Sequence, residues 1–489
     1  MTPRHLIGMG LILLSHRAAL SQTVLGSPLD GTTPPALAQG APAGTYALSG
    51  FETVNLFNGG LNFRLPLASL KGRGGGAIPL VLALERKWIV QVADSNGVYI
   101  RYPLPDDAPG LAANFGYGPG ALTFRETGRN IFSGCTSGAT AFYQETLTRA
   151  TFSLGDGTEM EFVDAKTGGG VSTNSYSTGG LGGETITCPS TASVDRGRVW
   201  VTRDGSAATL ITDTPVTDGT TYNNAAPVAS GGGPNAYIFT KDGVRYKFTN
   251  QRLVEIRDRN GNLTTYSYTD ARLTGMTDSL GRTISVQYDI VPPGLAQSQF
   301  DRYDLIQYPG YGGGTRPIKV HYCFLDPAAE SKTCANYTGP ISRTYGALFG
   351  LNGSTEVKYN PVVVSYVELP DGRTYQFRYN DYGELTRVKL PTGGGFGYVW
   401  DAGVGTGNGL TNAFGGNPYI YRRVKRRIVY RAGDVIEGQT AYENVEANTG
   451  CPAASPDWCT VVTAELQDAG GAKKQRSKHF FYGGVRWTP

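Results

Sequence analysis

Between residues 243 and 289, GVRYKFTNQRLVEIRDRNGNLTTYSYTDARLTGMTDSLGRTISVQYD, apolar or aromatic positions alternate with polar ones, and the whole pattern returns every twenty residues. Phe248, Tyr268 and Tyr288 form one column, and Tyr246, Tyr266 and Val286 a second. Leu253 and Leu273, Asp258 and Asp278, and Gly261 and Gly281 form three more. Alternation of this kind is the period of a half-buried strand. The runs Arg259-Asn260-Gly261-Asn262 and Ser279-Leu280-Gly281 supply residues that tolerate the positive φ of a tight hairpin. Each unit therefore predicts a β-hairpin with one aromatic face. A lone hairpin cannot bury such a face, so the units must stack into a common sheet.

A second block follows at 363–400. Leu369-Pro-Asp-Gly372 and Leu390-Pro-Thr-Gly393 lie 21 residues apart, as do Tyr375 and Phe396, Phe377 and Tyr398, and Tyr379 and Trp400. The spacing Gly281-Arg282-x-Ile284-x-Val286-x-Tyr288-Asp289, echoed at Gly372-Arg373-x-Tyr375-x-Phe377-x-Tyr379-Asn380, resembles the YD repeats of the bacterial RHS family, to which Tc toxin shells and teneurins are related. The resemblance implies a β-sheet spiralling into a hollow shell that often encloses a C-terminal toxin or effector. It covers 243–289 and 363–400. Residues 49–90, with strands at Leu61–Leu67 and Ile78–Leu84 around a Gly-rich turn, resemble the amino-terminal segment of the same proteins.

The expected fold class is all-β: an N-terminal β-sandwich-like domain followed by antiparallel hairpin YD repeats forming part of a spiralling shell. The expected boundaries are a signal peptide at 1–21, a Pro/Ala/Gly-rich linker at 22–48, the sandwich-like domain at 49–240, the repeat region at 241–480 with an insertion at 290–360, and a tail at 481–489. Composition agrees, with 68 Gly and 29 Tyr in 489 residues favouring turns and strands over helices. The structural repeat residues are Tyr246, Phe248, Tyr266, Tyr268, Tyr288, Gly261, Gly281, Tyr375, Phe377, Tyr379, Tyr398 and Trp400.

The first residues place a basic start at Arg4 before an apolar core at Leu6–Leu14 and a small-residue site ending at Ser21, the order of a secretory signal. No later stretch reaches transmembrane length. Localisation outside the cytoplasm or at the cell surface is therefore expected, after cleavage near Ser21. Six cysteines suit an oxidising compartment. The shortest loops pair Cys323 with Cys334 and Cys451 with Cys459, which leaves Cys135 with Cys188. The formal charge is +4, with 44 basic against 40 acidic residues, and loss of Arg4 and Arg17 with the leader lowers it to +2. Such a balance gives no electrostatic case for nucleic acid.

Candidate chemistry is sparse. His321 and His479, which remain after leader removal, have no ligand or triad partner at motif spacing. Asp258-Arg-Asn260-Gly-Asn262 puts Gly fourth and Thr269 twelfth, unlike a calcium loop. Glu159 and Glu161 share one strand face, whereas a glycosidase needs carboxylates facing each other across a cleft. The run Arg422–Arg427 reads as a protected edge or outer-face strand. Asp326-Pro327 departs from the family's autoproteolytic Asp-Pro-x-Gly pattern. No catalytic residue, metal site or cofactor is expected. The reading is a secreted non-enzymatic scaffold, with further RHS-repeat sequence or another protein chain at its open sheet edge. The alternatives are a cell-surface glycan-binding module using exposed rings and, more weakly, an extracellular hydrolase.

Overall fold

The computed structural model describes residues 45–49, 52–56, 59–70, 79–84, 88–95, 98–105, 117–132, 141–154, 159–170, 175–179, 185–189, 195–203, 206–217, 219–222, 234–270, 272–350, 357–403, 410–412, 418–446 and 459–482. The signal segment, residues 22–44 of the expected linker, Cys135, Cys451 and the tail beyond Tyr482 lie outside them; the last linker residues, 45–48, belong instead to the strand Thr45–Ser49. Most of the described chain is one antiparallel sheet. From Ala236–Phe239 through Lys473–Tyr482 each main strand pairs with the next along the chain, except that the short hairpin Leu410–Asn412/Pro418–Ile420 stands aside between Gly395–Ala402 and Arg422–Arg431.

Strand alternation gives the two rims of this sheet different characters. At one rim the connections are short and alike. The amide of the fourth residue donates to the carbonyl of the first in Thr240–Gly243, Asp258–Gly261, Asp278–Gly281, Leu369–Gly372, Leu390–Gly393 and Asp468–Gly471. Each of these turns ends on a glycine with φ between +72° and +92°, the left-handed position that a type I turn with a G1 bulge requires. At the other rim Asn380–Gly383 has the same form, but the connections vary in length, including 291–301, 325–361 and 403–421.

Upstream, Thr209–Thr217, Asp195–Thr202, Glu159–Asp164, Ala141–Leu154 and Gly120–Phe132 continue the same sheet, with Ala236–Phe239 pairing on both sides. The last of them returns to the repeats, where Ala121 opposes Arg252 and the Leu122 amide donates to the Gln251 carbonyl at 3.0 Å. A ring of strands is thereby closed around Leu122, Phe152, Phe162, Trp200, Leu210, Ile238, Phe248 and Leu253, all buried. The sandwich-like region and the first repeats therefore share one sheet and one core.

Thr45–Ser49, Glu52–Asn55, Leu61–Ala68 and Leu80–Leu84 form a separate four-stranded meander. It lies against the core face of the later strands. Phe63 meets Phe377 edge-on at 5.9 Å, and the Val424 amide donates to the Gly59 carbonyl at 2.9 Å. Gly59 has φ +68° and approaches so closely that a Cβ would stand 2.3 Å from that of Arg423.

Within 290–360, Arg302–Pro309 and Thr315–Phe324 are full members of the sheet. The irregular excursion is 325–361. The disulfide Cys323–Cys334, with Cα atoms 6.1 Å apart, ties it to the strand Thr315–Phe324, and it carries a short helix at Tyr345–Phe349. Trp88 seats among Phe349, Tyr359 and Tyr345 and donates its indole N–H to the Tyr382 carbonyl at 3.2 Å. The side chains of Cys188 and Cys459 lie outside the described set, so the other two expected pairings do too.

Candidate functional site

The repeat residues converge on one recurring arrangement. The Tyr268 hydroxyl donates to the Leu253 carbonyl at 2.7 Å, Tyr288 to Leu273 at 2.7 Å, Tyr379 to Val364 at 2.8 Å, and the Trp400 indole N–H to Leu385 at 2.7 Å. The step is 15 residues every time. Tyr and Trp are interchangeable in this column because each joins an apolar ring to a terminal donor. Phe248, which lacks one, is fully buried against Phe152 at 5.0 Å instead. A bulge accompanies the motif: Phe248 opposes Leu253, Tyr268 opposes Leu273, Tyr379 opposes Leu385 and Trp400 opposes Val424, with Val254, Thr274, Thr386 and Lys425 left as extra residues. Tyr246, Tyr375 and Tyr398 line the same core, as do Tyr266 and Phe377. The Tyr266 hydroxyl is buried without a hydrogen bond.

The turn glycines sit where the spacing put them, but the adjacent acid proves as important. Asp258 accepts from the amides of Asn260 and Asn262, both at 2.8 Å, and from Asn262 Nδ2 at 2.7 Å. Asp278 repeats this with Leu280 and Arg282 and adds the Arg282 guanidinium at 2.6 Å. The oxygens that a calcium reading would need are spent on the turn itself. The hydrogen bond from the Asn262 side chain holds the Asp258 carboxyl below the usual range. A further column escaped the sequence reading. Arg252 and Arg272, also twenty apart, lie over the Tyr268 and Tyr288 rings at 5.8 and 5.1 Å.

Buried charges fasten the pieces together. Glu52, 2% exposed, accepts from Arg427 Nε at 2.7 Å and from the Tyr398 hydroxyl, tying the meander to the sheet. Burial, with Glu52 beside it, pushes the Tyr398 phenol well above its ordinary value. Arg422 makes two hydrogen bonds to Glu384. The strand Arg422–Arg431 is paired on both sides over 426–430 and on one side over 422–425. Arg423 and Arg427 are nevertheless both buried. Across the ring, Arg196 and Asp164 form an ion pair at 3.0 Å with both side chains inaccessible. Thr167 completes that site by donating its hydroxyl to Asp164 at 2.7 Å.

Asp304, 3% exposed, takes the Tyr117 and Tyr322 hydroxyls on one oxygen at 2.6 and 2.5 Å and the Asp289 amide on the other at 2.9 Å. Burial lifts both phenols far above their usual range. On the opposite face His321 is stacked on Tyr366 at 4.1 Å, with Nδ1 2.8 Å from Asp301 and Nε2 3.5 Å from Glu368. Asp301 precedes Arg302–Pro309, whereas Tyr366 and Glu368 sit on Val362–Glu368, so the partners are distant in sequence and no local spacing announced them. His479 Nε2 lies 3.1 Å from the Ser477 hydroxyl. Glu161 pairs with Arg149 and Glu159 accepts from Ser153 at 3.2 Å, so the two acids do not face each other. Asp326 caps the turn at Pro327–Glu330 and accepts from Ser342. Among the described residues no group of three His, Cys, Asp or Glu side chains is placed to hold a metal ion, and no helix is long and apolar enough to cross a membrane.

No family profile matches this chain, and no curated protein matches it. Among solved structures, the crystal structure of TcdB2-TccC3-Cdc42 aligns with 88% of this chain and 22% of its own at 9% identity and a TM-score of 0.16. Those of TcdB2-TccC3-TEV and TcdB2-TccC3 each align with 86% of this chain, and with 25% and 24% of their own, at 10% identity and a TM-score of 0.12. This chain spans about a quarter of the length of the structures it matches.

Proposed function

We propose that the chain is an exported, non-catalytic scaffold of the RHS/YD-repeat type, part of a β-walled shell that encloses or delivers an effector or presents a binding surface. The observation that carries this reading is the ring-to-carbonyl hydrogen bond repeated at a 15-residue step along one continuous sheet. Repetition of one supersecondary unit builds area, and stacked units share a core that no unit could form alone. The buried ion pairs described above join strands distant in sequence, which is a use of charge for fastening. The disulfide at Cys323–Cys334 suits an oxidising compartment.

The partner expected from this reading is more of the same sheet. Among the described residues Lys473–Tyr482 registers on Cys459–Asp468 and on no second strand, and a strand so placed accepts another by backbone pairing. The test is to mix the purified chain with a separate polypeptide carrying further YD hairpins and measure mass by light scattering. A one-to-one complex is expected, and persistent separation of the two removes the shell reading. In parallel, the chain is incubated with polysaccharide, ester and peptide substrates. Turnover that disappears on changing a single acid would overturn the non-catalytic assignment.

A further inference from the structure

On Asp195–Thr202, Thr209–Thr217 and Ala236–Phe239 the residues turned away from the core form an apolar field. Val199, Val201 and Phe239 are 42%, 36% and 42% exposed. The registers Val199–Ile211–Tyr237 and Val201–Thr209–Phe239 make two adjacent rows across the three strands. The same rows then run into charge, the first through Lys247 to Glu255 and the second through Arg245 to Arg257. Tyr237 and Phe239 present rings with centroids 6.3 Å apart and planes 31° from parallel. The Arg245 guanidinium stands 5.6 Å from the Tyr237 ring while paired with Glu255, and Arg257 is exposed.

We propose that this face binds a uronic-acid-containing polysaccharide, with pyranose rings lying on Tyr237 and Phe239 and carboxylates of neighbouring sugars meeting Arg245, Lys247 and Arg257. Three features of the face select this occupant. All three strands of the apolar field are hydrogen-bonded on both sides, so no backbone is free for an added peptide strand. Exposed rings on a sheet face offer a stacking platform, and amphipathic rings with a cation beside them suit a ligand having both an apolar surface and negative charge. Arg245, Lys247 and Arg257 stand against Glu255, itself engaged by Arg245, and Asp213 of the next row, held by Asn235 at 2.9 Å; this leaves a positive excess, and the planar guanidinium matches a carboxylate. The inference does not depend on the shell reading, since the face lies on the outside of the ring whether or not the sheet extends.

The test is calorimetric titration of the full chain with an oligogalacturonate, a neutral cello-oligosaccharide and polyglutamate. Binding is expected for the first and weakening in salt, with each of Phe239→Ser and Arg257→Glu reducing affinity about tenfold. Both residues are exposed, and thermal unfolding of each variant confirms that the fold is kept. Equal binding of polyglutamate, or undiminished binding in Phe239→Ser, would assign the face to acidic peptide or to simple charge capture and overturn the proposal. Equal binding of the neutral sugar would overturn the role given to the cations, and no binding of oligogalacturonate overturns the whole.

Discussion

At the residue scale the wall is held by small, repeated decisions. Tyr268 both buries its ring and donates to Leu253, whereas Tyr266, two residues before it, buries a hydroxyl that bonds to nothing. Tyr268→Phe is therefore expected to cost about 1 kcal/mol in urea unfolding, while Tyr266→Phe is expected to be neutral or stabilising. Equal losses would mean that the hydroxyls do not differ. Gly281 has φ +72° with open space around its missing Cβ, and Gly275 has an ordinary strand backbone with room for a methyl group. Gly281→Ala should then cost about 1–2 kcal/mol through backbone conformation alone, and Gly275→Ala should change stability by less than about 1 kcal/mol. The aromatic columns and the turn glycines were legible from the twenty-residue period. The bulges and the target carbonyls were not, because they depend on which residue stands opposite, a property of the neighbouring strand.

At the scale of elements, buried charge sets the joints. Arg196 and Asp164 sit on neighbouring strands of the ring with no access to water. Burial opposes ionisation of Asp164, but hydrogen bonds from Thr167 and from Arg196 outweigh it and hold the carboxyl below its ordinary value. A depressed folded value means stability that is present above about pH 4, the ordinary carboxylate range, and is lost as pH falls through the folded value. Arg196→Met strands the carboxylate. It should cost about 3–5 kcal/mol near neutral pH, and because the stranded carboxyl then takes up a proton more readily in the folded state, the deficit should shrink as pH falls, read from urea midpoints across pH. A deficit independent of pH would assign the pair no electrostatic part. None of these joints was visible in the chain, since Glu52 and Arg427 are separated by 375 residues. The Arg422–Arg427 run illustrates the cause: charge density suggested a protected edge or outer-face strand, yet Arg423 and Arg427 are buried, the latter on Glu52 of the meander.

At the scale of the whole molecule, one sheet curls into a ring at its amino-terminal end and continues as repeats whose core face receives the meander at 45–84. The excursion at 325–361 is fastened by Cys323–Cys334 across a sequence separation of 11. Closing a loop of that size in the unfolded chain contributes about 2–3 kcal/mol. Cys334→Ser should lower the melting temperature of the oxidised sample accordingly and shrink, by that amount, the difference between oxidised and reduced samples. The all-β class and the repeat were readable from alternation; the sharing of one sheet by 120–240 and the repeats was not, because ring closure rests on the contact between Ala121 and Arg252.

The contrast between a rim of uniform glycine turns and a rim of variable connections carries a rule of growth. Because neighbouring strands run in opposite directions, only an even number of new strands leaves every later turn at the end it already occupies. Such a chain can lengthen by whole up-and-down pairs, while a single inserted strand would send compact turns and long excursions to opposite ends from that point onward. Length variation in relatives of this protein should accordingly come in steps of two strands, with novelty gathering at one end of the wall.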